Sequence, residues 1–258
     1  MVRKELKIFL TAILFYTRIP CPKWVDHSQD MLEKATRYFP LIGWIVGGLS
    51  AISLYAFARI LPLPVAVILS MIVGILTTGA FHEDGFADTC DGFGGGWTKE
   101  KILIIMKDSR MGAYGTIGIF LILLLKFICL YELAGRNLVK CCLSLFAAHA
   151  VSRFCAVVLR KNLEYVRENE DSKARPIAKK TSAKDYLIAA AFGISPLLVF
   201  KTIWIGLVFI PLICMIVYLR WYFKKWIGGY TGDCLGATQQ ICEIVFYLFL
   251  LILWKSTW

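Results

Sequence analysis

Apolar positions gather into seven long stretches along the chain, at residues 40–60, 62–81, 114–134, 138–159, 185–200, 202–222 and 239–255. A helix needs about 20 mainly apolar residues to cross a bilayer, and these stretches approximate that length. The fifth and sixth run together in sequence. They are divided near Lys201, because one helix of their joint length would overshoot the membrane. Residues 6–19 are apolar too, but too short to span, and Arg18 interrupts them; they predict an interfacial helix. The pattern predicts an all-α polytopic integral membrane protein with about seven transmembrane helices and an N-terminal interfacial helix. Residues 1–258 then form one membrane-embedded domain. Its polar parts are the N-terminal segment 1–39 and the loops 82–112, 160–184 and 220–238.

Composition agrees with that pattern. Of the 258 residues, 58% are hydrophobic and 18% charged, where a soluble domain carries about a quarter charged. The apolar start "MVRKELKIFLTAILFYTRIP" lacks a small-residue cleavage site and is expected to be retained. None of the nine cysteines forms a C-x-x-C pair, so neither a zinc site nor a disulfide framework is indicated. The net charge of +11 reads as the cytoplasmic bias of a membrane protein rather than as a nucleic-acid surface. With the N-terminus inside, lysines and arginines number seven before residue 40, four in 82–112, eight in 160–184 and three in 220–238. The opposite ends carry only Arg59, Arg136, Lys140, Lys201 and Lys255, while Lys126 and Arg153 fall within spans. This predicts an N-in, C-out topology with every long polar loop on the cytoplasmic face.

Those loops hold the candidate chemistry. "FHEDGFADTCDG", residues 81–92, places Asp84, Asp88 and Asp91 at helical spacing beside Glu83 and His82. Two unit charges about 6 Å apart at an effective dielectric near 20 repel by roughly 3 kcal/mol. Either water solvates this face at a helix end, or a hard cation compensates it: Mg²⁺ first, Mn²⁺ or Ca²⁺ next. Gly92, Gly94, Gly95 and Gly96 follow, and then "MKDSRMG", in which Lys107 and Arg110 flank Asp108 and Ser109 and can share a helical face. Acidic ligands, a flexible glycine segment and a basic pair are the parts of a magnesium diphosphate site. No P-loop occurs. "GGYTGDCLGA", residues 228–237, reads either as a helix break with a capping aspartate or as a further contact through Thr231 and Asp233.

"HEDGFADTCDGFGGG", "IMKDSRMGAYG" and "GGYTGDCLGA" resemble, in order and spacing, the three signatures of the cobalamin synthase (adenosylcobinamide-GDP ribazoletransferase) family. The resemblance covers essentially the whole chain. It implies an Mg²⁺-dependent enzyme in the cytoplasmic membrane of a prokaryote, with its active site on the cytoplasmic face. Such an enzyme joins adenosylcobinamide-GDP to α-ribazole or its 5′-phosphate and releases GMP. On this reading Glu83, Asp84, Asp88 and Asp91 hold the metal, Lys107 and Arg110 clamp the diphosphate beside Asp108, and His82 is a candidate base. Ser109, Arg153, Thr231 and Asp233 contact substrate. His149 and Arg153, four residues apart within a span, either face the bundle interior or let Arg153 snorkel to the headgroups. The loop 160–184 reads as solvated, with Arg175 a weaker candidate. Membrane lipid is the other expected partner, nucleic acid is not, and a homo-oligomer is left open.

Two other classes fit the sequence less well. A CDP-alcohol phosphotransferase needs D-G-x2-A-R and a later G-x3-D-x3-D, but "DGFADT" puts Asp88 and Thr89 where the alanine and arginine belong, and no later G-x3-D-x3-D appears. A secondary transporter would place its polar site at the bilayer midplane on repeated, broken helices. The topology is directly testable: cysteines introduced at Gly95, Ser172 and Gly229, with Cys90 and Cys234 replaced, should react with impermeant thiol reagents only from the cytoplasmic side. Labelling of any of them from outside intact cells would contradict the seven-span arrangement.

Overall fold

A computed structural model describes residues 2–25, 28–161, 163–167 and 182–256. Each of the seven apolar stretches becomes helix. In chain order the elements are α1 (Val2–Tyr16), α2 (Gln29–Ala35), α3 (Phe39–Phe57), α4 (Leu63–Thr78), α5 (Phe81–Gly95), α6 (Lys99–Ile105) and α7 (Ala113–Arg136). Then come α8 (Leu138–Leu159), α9 (Ala183–Ile194), α10 (Phe209–Ile227) and α11 (Gly232–Ser256). Short 3-10 turns extend α9 to Phe200 and precede α10 from Ile203. They meet at Lys201, whose φ of 51° ends the first and confirms the predicted division. No strand occurs among the described residues.

Among the described residues, six helices are long and apolar enough to cross a membrane, or seven if the bent pair α4–α5 counts as one span. The chain is thus a multi-pass, all-α membrane protein. Its outer surface carries Ile52, Leu76, Ile117, Phe120, Ile210 and Ile252 exposed, as a lipid-facing surface does. Inside, α8 is the most enclosed span, packed between α3 and α11.

The segment after α4 departs from expectation. Residues 82–112, predicted as a loop, are mostly the helices α5 and α6. Leu76 and Ile75 carbonyls close α4 on the amides of Gly79 and Ala80, both in the left-handed region at φ 67° and 60°. Glycine takes that conformation freely, but alanine at position 80 pays about 1–2 kcal/mol for it. The outcome is an 89° bend that turns α5 across the bundle. The glycines 92, 94 and 95 therefore lie inside a helix and do not form a flexible loop. The bend also explains why hydropathy alone ran the second span on to residue 81.

For the labelling test, Gly95 and Lys225 are exposed and suitable. Gly229 is buried with the Glu164 carbonyl where its side chain would go, and Ser172 lies outside the described residues.

Candidate active site

The acidic run is helical, as its spacing implied, but its carboxylates do not act together. Asp84 is exposed and Asp88 half-buried on one face of α5. Asp91 turns inward, where Oδ2 accepts from the Gly112 amide at 2.7 Å and Oδ1 from the Gly115 amide at 2.8 Å. Helix α7 has no capping side chain of its own, because Gly112 stands at its N-cap. Asp91 supplies the cap from 21 residues away, and both its oxygens are committed. Glu83 also faces in: it is 9% exposed, and Oε1 accepts from Gln240 at 2.9 Å. Among the described residues, no three His, Cys, Asp or Glu side chains already converge as a metal-ligand set.

His82 is 2% exposed and stacked on Phe39, with ring centroids 5.5 Å apart. Its Nε2 is buried without a partner. It sits on the inward side of α5, away from the exposed Asp84.

The third signature joins the acidic face from the start of α11. Thr231, fully buried, accepts from the Cys234 amide at 3.3 Å and so caps α11, where an aspartate cap was the expectation. Asp233 in the first turn is left to face α5. Asp88 lies in the repulsive field of Asp233, Asp84 and Asp91, offset by Arg167.

Arg167 is the residue that sequence reasoning missed. The strand-like segment at Tyr165 pairs with Tyr230: the Tyr230 amide donates to Glu164 at 2.9 Å and Val166 donates back at 3.1 Å. This brings Arg167 Nη2 to Asp233 at 2.5 Å and to the Met106 carbonyl at 3.0 Å. The start of the 160–184 loop is therefore built into the site rather than solvated. Nothing in its spacing marks Arg167 off from the other cations of that run. Arg175 lies outside the described residues.

The basic segment is a turn. Helix α6 stops at Ile105, so Lys107 and Arg110 do not share a helical face. Lys107 and Ser109 are exposed. The Arg110 guanidinium grips Asp108 with its fork, Nε to Oδ1 at 3.0 Å and Nη2 to Oδ2 at 2.7 Å. That bond holds the Asp108 carboxyl down at about 2. Through Arg167 on Met106, this turn abuts the Asp233 side of the site.

Behind the acidic face lies a buried polar network. Arg153 does not snorkel. It is 1% exposed, and Nη1 donates to His149 Nδ1 at 3.0 Å and to the His149 carbonyl at 2.9 Å. Since arginine can only donate, His149 Nε2 carries the proton, and it lies 3.6 Å from Glu243 Oε1. Glu243 also takes Lys126 Nζ at 2.6 Å, Tyr247 Oη at 3.0 Å and Gln239 Nε2 at 2.7 Å. The clue in the sequence was the placing of Lys126 and Glu243 within apolar spans, where an unpaired charge is costly.

The fold and site together define a multi-pass α-helical membrane protein with carboxylates and basic side chains gathered where α5, α11 and the 106–112 turn meet. Residues 8–251 match the profile of the cobalamin-5-phosphate synthase family, and the chain belongs to that family. It is 49% identical over 253 residues to proteins named adenosylcobinamide-GDP ribazoletransferase from Shewanella sp. (strain W3-18-1) and Shewanella oneidensis. A relative of the same name from Shewanella baltica is 48% identical. In each case the match covers 96% of this chain and 95% of the relative. No solved structure matches.

The cap role separates Asp91 from its neighbours. Asp91→Asn leaves one carbonyl oxygen for two amides, so the folded protein should lose about 1 kcal/mol, visible as a lower midpoint in thermal unfolding in detergent. Asp84→Asn, exposed and without that duty, should unfold at the parental temperature. Equal midpoints for the two variants would contradict the cap.

Proposed function

We propose that this chain transfers the adenosylcobinamide-phosphate group of adenosylcobinamide-GDP to α-ribazole or its 5′-phosphate, releasing GMP. The relatives' names supply the substrates. The observation that carries the proposal is the meeting of three sequence-distant segments: the Asp84–Asp88 face, the 106–112 turn, and Asp233 with Arg167. An acceptor hydroxyl of the ribazole attacks the phosphorus that stays with the corrinoid. The new P–O bond forms as the bond to GMP breaks, and the hydroxyl proton passes to a carboxylate of the acidic face. His82, buried against Phe39, is set aside as the base.

The metal site is redrawn. Asp84, Asp88 and Asp233 are the carboxylates that repel one another across α5 and α11, and an all-oxygen set of this kind suits Mg²⁺. Asp91, with both oxygens on α7 amides, and Glu83, buried and turned to Gln240 through one oxygen, leave the set. When bound there, Mg²⁺ would neutralise the diphosphate and the charge on the leaving oxygen. Lys107 and Arg110 stand exposed at the edge to receive diphosphate oxygens, with Arg110 exchanging Asp108 for phosphate. Ser109 is exposed beside them as a further substrate contact. Arg153 and Thr231, both enclosed, support the site rather than touch substrate. The lysine and arginine distribution supports a cytoplasmic placement of this face, and the family supports the inner membrane of a prokaryote as its location.

The experiment is GMP release by the protein purified in lipid nanodiscs. Release should need adenosylcobinamide-GDP, a ribazole and Mg²⁺, and stop with a chelator. Asp84→Asn and Asp88→Asn should abolish turnover while inserting normally. Arg110→Lys keeps the charge but loses the planar fork, and should cost about 2–3 kcal/mol in kcat/KM for the GDP substrate. Absence of GMP release from the parental protein would overturn the proposal, and an unaffected Arg110→Lys would remove the clamp from it.

A further inference from the structure

Helix α5 enters the bundle from a bend and has no side chain capping its first turn. It crosses α11 backbone to backbone. A Cβ added to Gly85 would lie 3.0 Å from Asp233 Cα, and one added to Gly236 would lie 3.1 Å from the His82 carbonyl oxygen. A seam between small residues is smooth in that it forms no hydrogen bond of its own, and Asp91 ties α5 directionally only at its far end. Yet rolling α5 about its axis would carry Asp84 and Asp88 away from Asp233. Something directional has to fix that roll.

The buried network reaches α5 at one side chain, Glu83, the immediate neighbour of Asp84. Gln240 Nε2 donates to Glu83 Oε1 at 2.9 Å and to Gln239 Oε1 at 3.0 Å. Gln239 Nε2 in turn donates to Glu243 at 2.7 Å and to Ser152 at 3.1 Å. Glu243 is tied to Lys126 on α7. The chain of bonds therefore runs from α5 through α11 to α7 and α8. Glu83 lies within the electrostatic reach of Lys126, Arg153 and Glu243 of the same network. Hydrogen bonds in an apolar interior are strong and directional, which is what a smooth seam lacks.

We propose that Glu83 and Gln240 are positioning residues, whose hydrogen bond sets the roll of α5 and so holds Asp84 and Asp88 opposite Asp233. The catalytic consequence rests on the transfer reaction proposed above, whereas the geometric claim does not. This replaces the metal-ligand role that the sequence suggested for Glu83.

The test has a structural arm and a kinetic arm. In full-length protein with native cysteines replaced, three double variants report the roll by disulfide cross-linking: Asp84→Cys with Asp233→Cys, Asp88→Cys with Asp233→Cys, and the off-face control Phe86→Cys with Asp233→Cys, position 86 being turned towards Gly118 of α7. With Gln240 intact, the first two should cross-link and the control should not. Adding Gln240→Leu should bring the control up to their level. In otherwise parental protein, Gln240→Leu should lower kcat by about tenfold or more while the KM for adenosylcobinamide-GDP moves less than about threefold, since positioning acts on the reacting geometry. Glu83→Gln, which keeps an oxygen for Gln240, should preserve the cross-linking pattern and retain at least about ten times the kcat of Glu83→Ala. Should Gln240→Leu fail to accumulate, this pair of Glu83 variants decides.

An unchanged cross-linking pattern in Gln240→Leu would show that packing alone fixes α5 and would overturn the inference. So would a shifted pattern with parental kcat. Glu83→Gln as inactive as Glu83→Ala, with its pattern intact, would return Glu83 to direct chemistry. If the parental protein releases no GMP, the cross-linking arm still reads the roll, so failure of the proposed function stays distinct from failure of this proposal.

Discussion

A carboxylate inside a membrane bundle has to be answered, and Glu243 is the one around which this protein is arranged. It is 1% exposed in the middle of the last span and gathers Lys126 from α7, Tyr247 and Gln239 from its own helix, and the edge of His149 from α8. An ionised side chain at mid-bilayer costs about 2.5–3.5 kcal/mol on insertion scales, so none of these groups is stable there alone. Together they commit three spans to one arrangement. Apolar packing against lipid could not do so, since tails and side chains are equally greasy. The network reaches outward through Gln240 to α5, the helix that carries the acidic face.

That dependence explains how a site can be built on a helix that enters through an 89° bend. The bend at Gly79 and Ala80 places α5 across the bundle, two separate devices then hold it, and a third holds the turn beside it. Asp91 clips its far end to the start of α7. Glu83 ties its near end to α11. Arg167 ties Asp233 to the turn after α6. Among the described residues, Asp84 and Asp88 are left with no structural bond of comparable strength, which is the condition for residues that have to meet a ligand. Carboxylates that look alike in sequence are divided by the fold into those that hold it together and those free for chemistry.

The sequence showed the spans well because apolar length is a property of the segment itself. Six of the seven stretches are spans in their own right, the second is one only together with the bent α5, and the break falls at Lys201 as expected. Helical spacing also put Asp84 and Asp88 on one face. What it could not show is which way each neighbour points, because that depends on partners far along the chain. Asp91 caps a helix that begins 22 residues later, and Glu83 meets a glutamine 157 residues away. Lys107 and Arg110 read as a helical pair because nothing in "MKDSRMG" announces that α6 has already ended. Arg167 was hidden among like charges, and only its pairing beside Tyr230 distinguishes it. Lys126 and Glu243 were visible as charges within apolar runs. Read as a pair, they would have disclosed the network.

The central claim is that charge compensation between Lys126 and Glu243 holds the bundle that supports the site, and a double-mutant cycle on stability in nanodiscs tests it most directly. Removing one member strands a buried charge, so Lys126→Leu and Glu243→Leu should each destabilise the protein by about 3–5 kcal/mol. Replacing both removes the need for compensation, and the Lys126→Leu/Glu243→Leu protein should recover most of that loss. Destabilisations that simply add in the double variant would contradict the account, because the two side chains would then be acting independently.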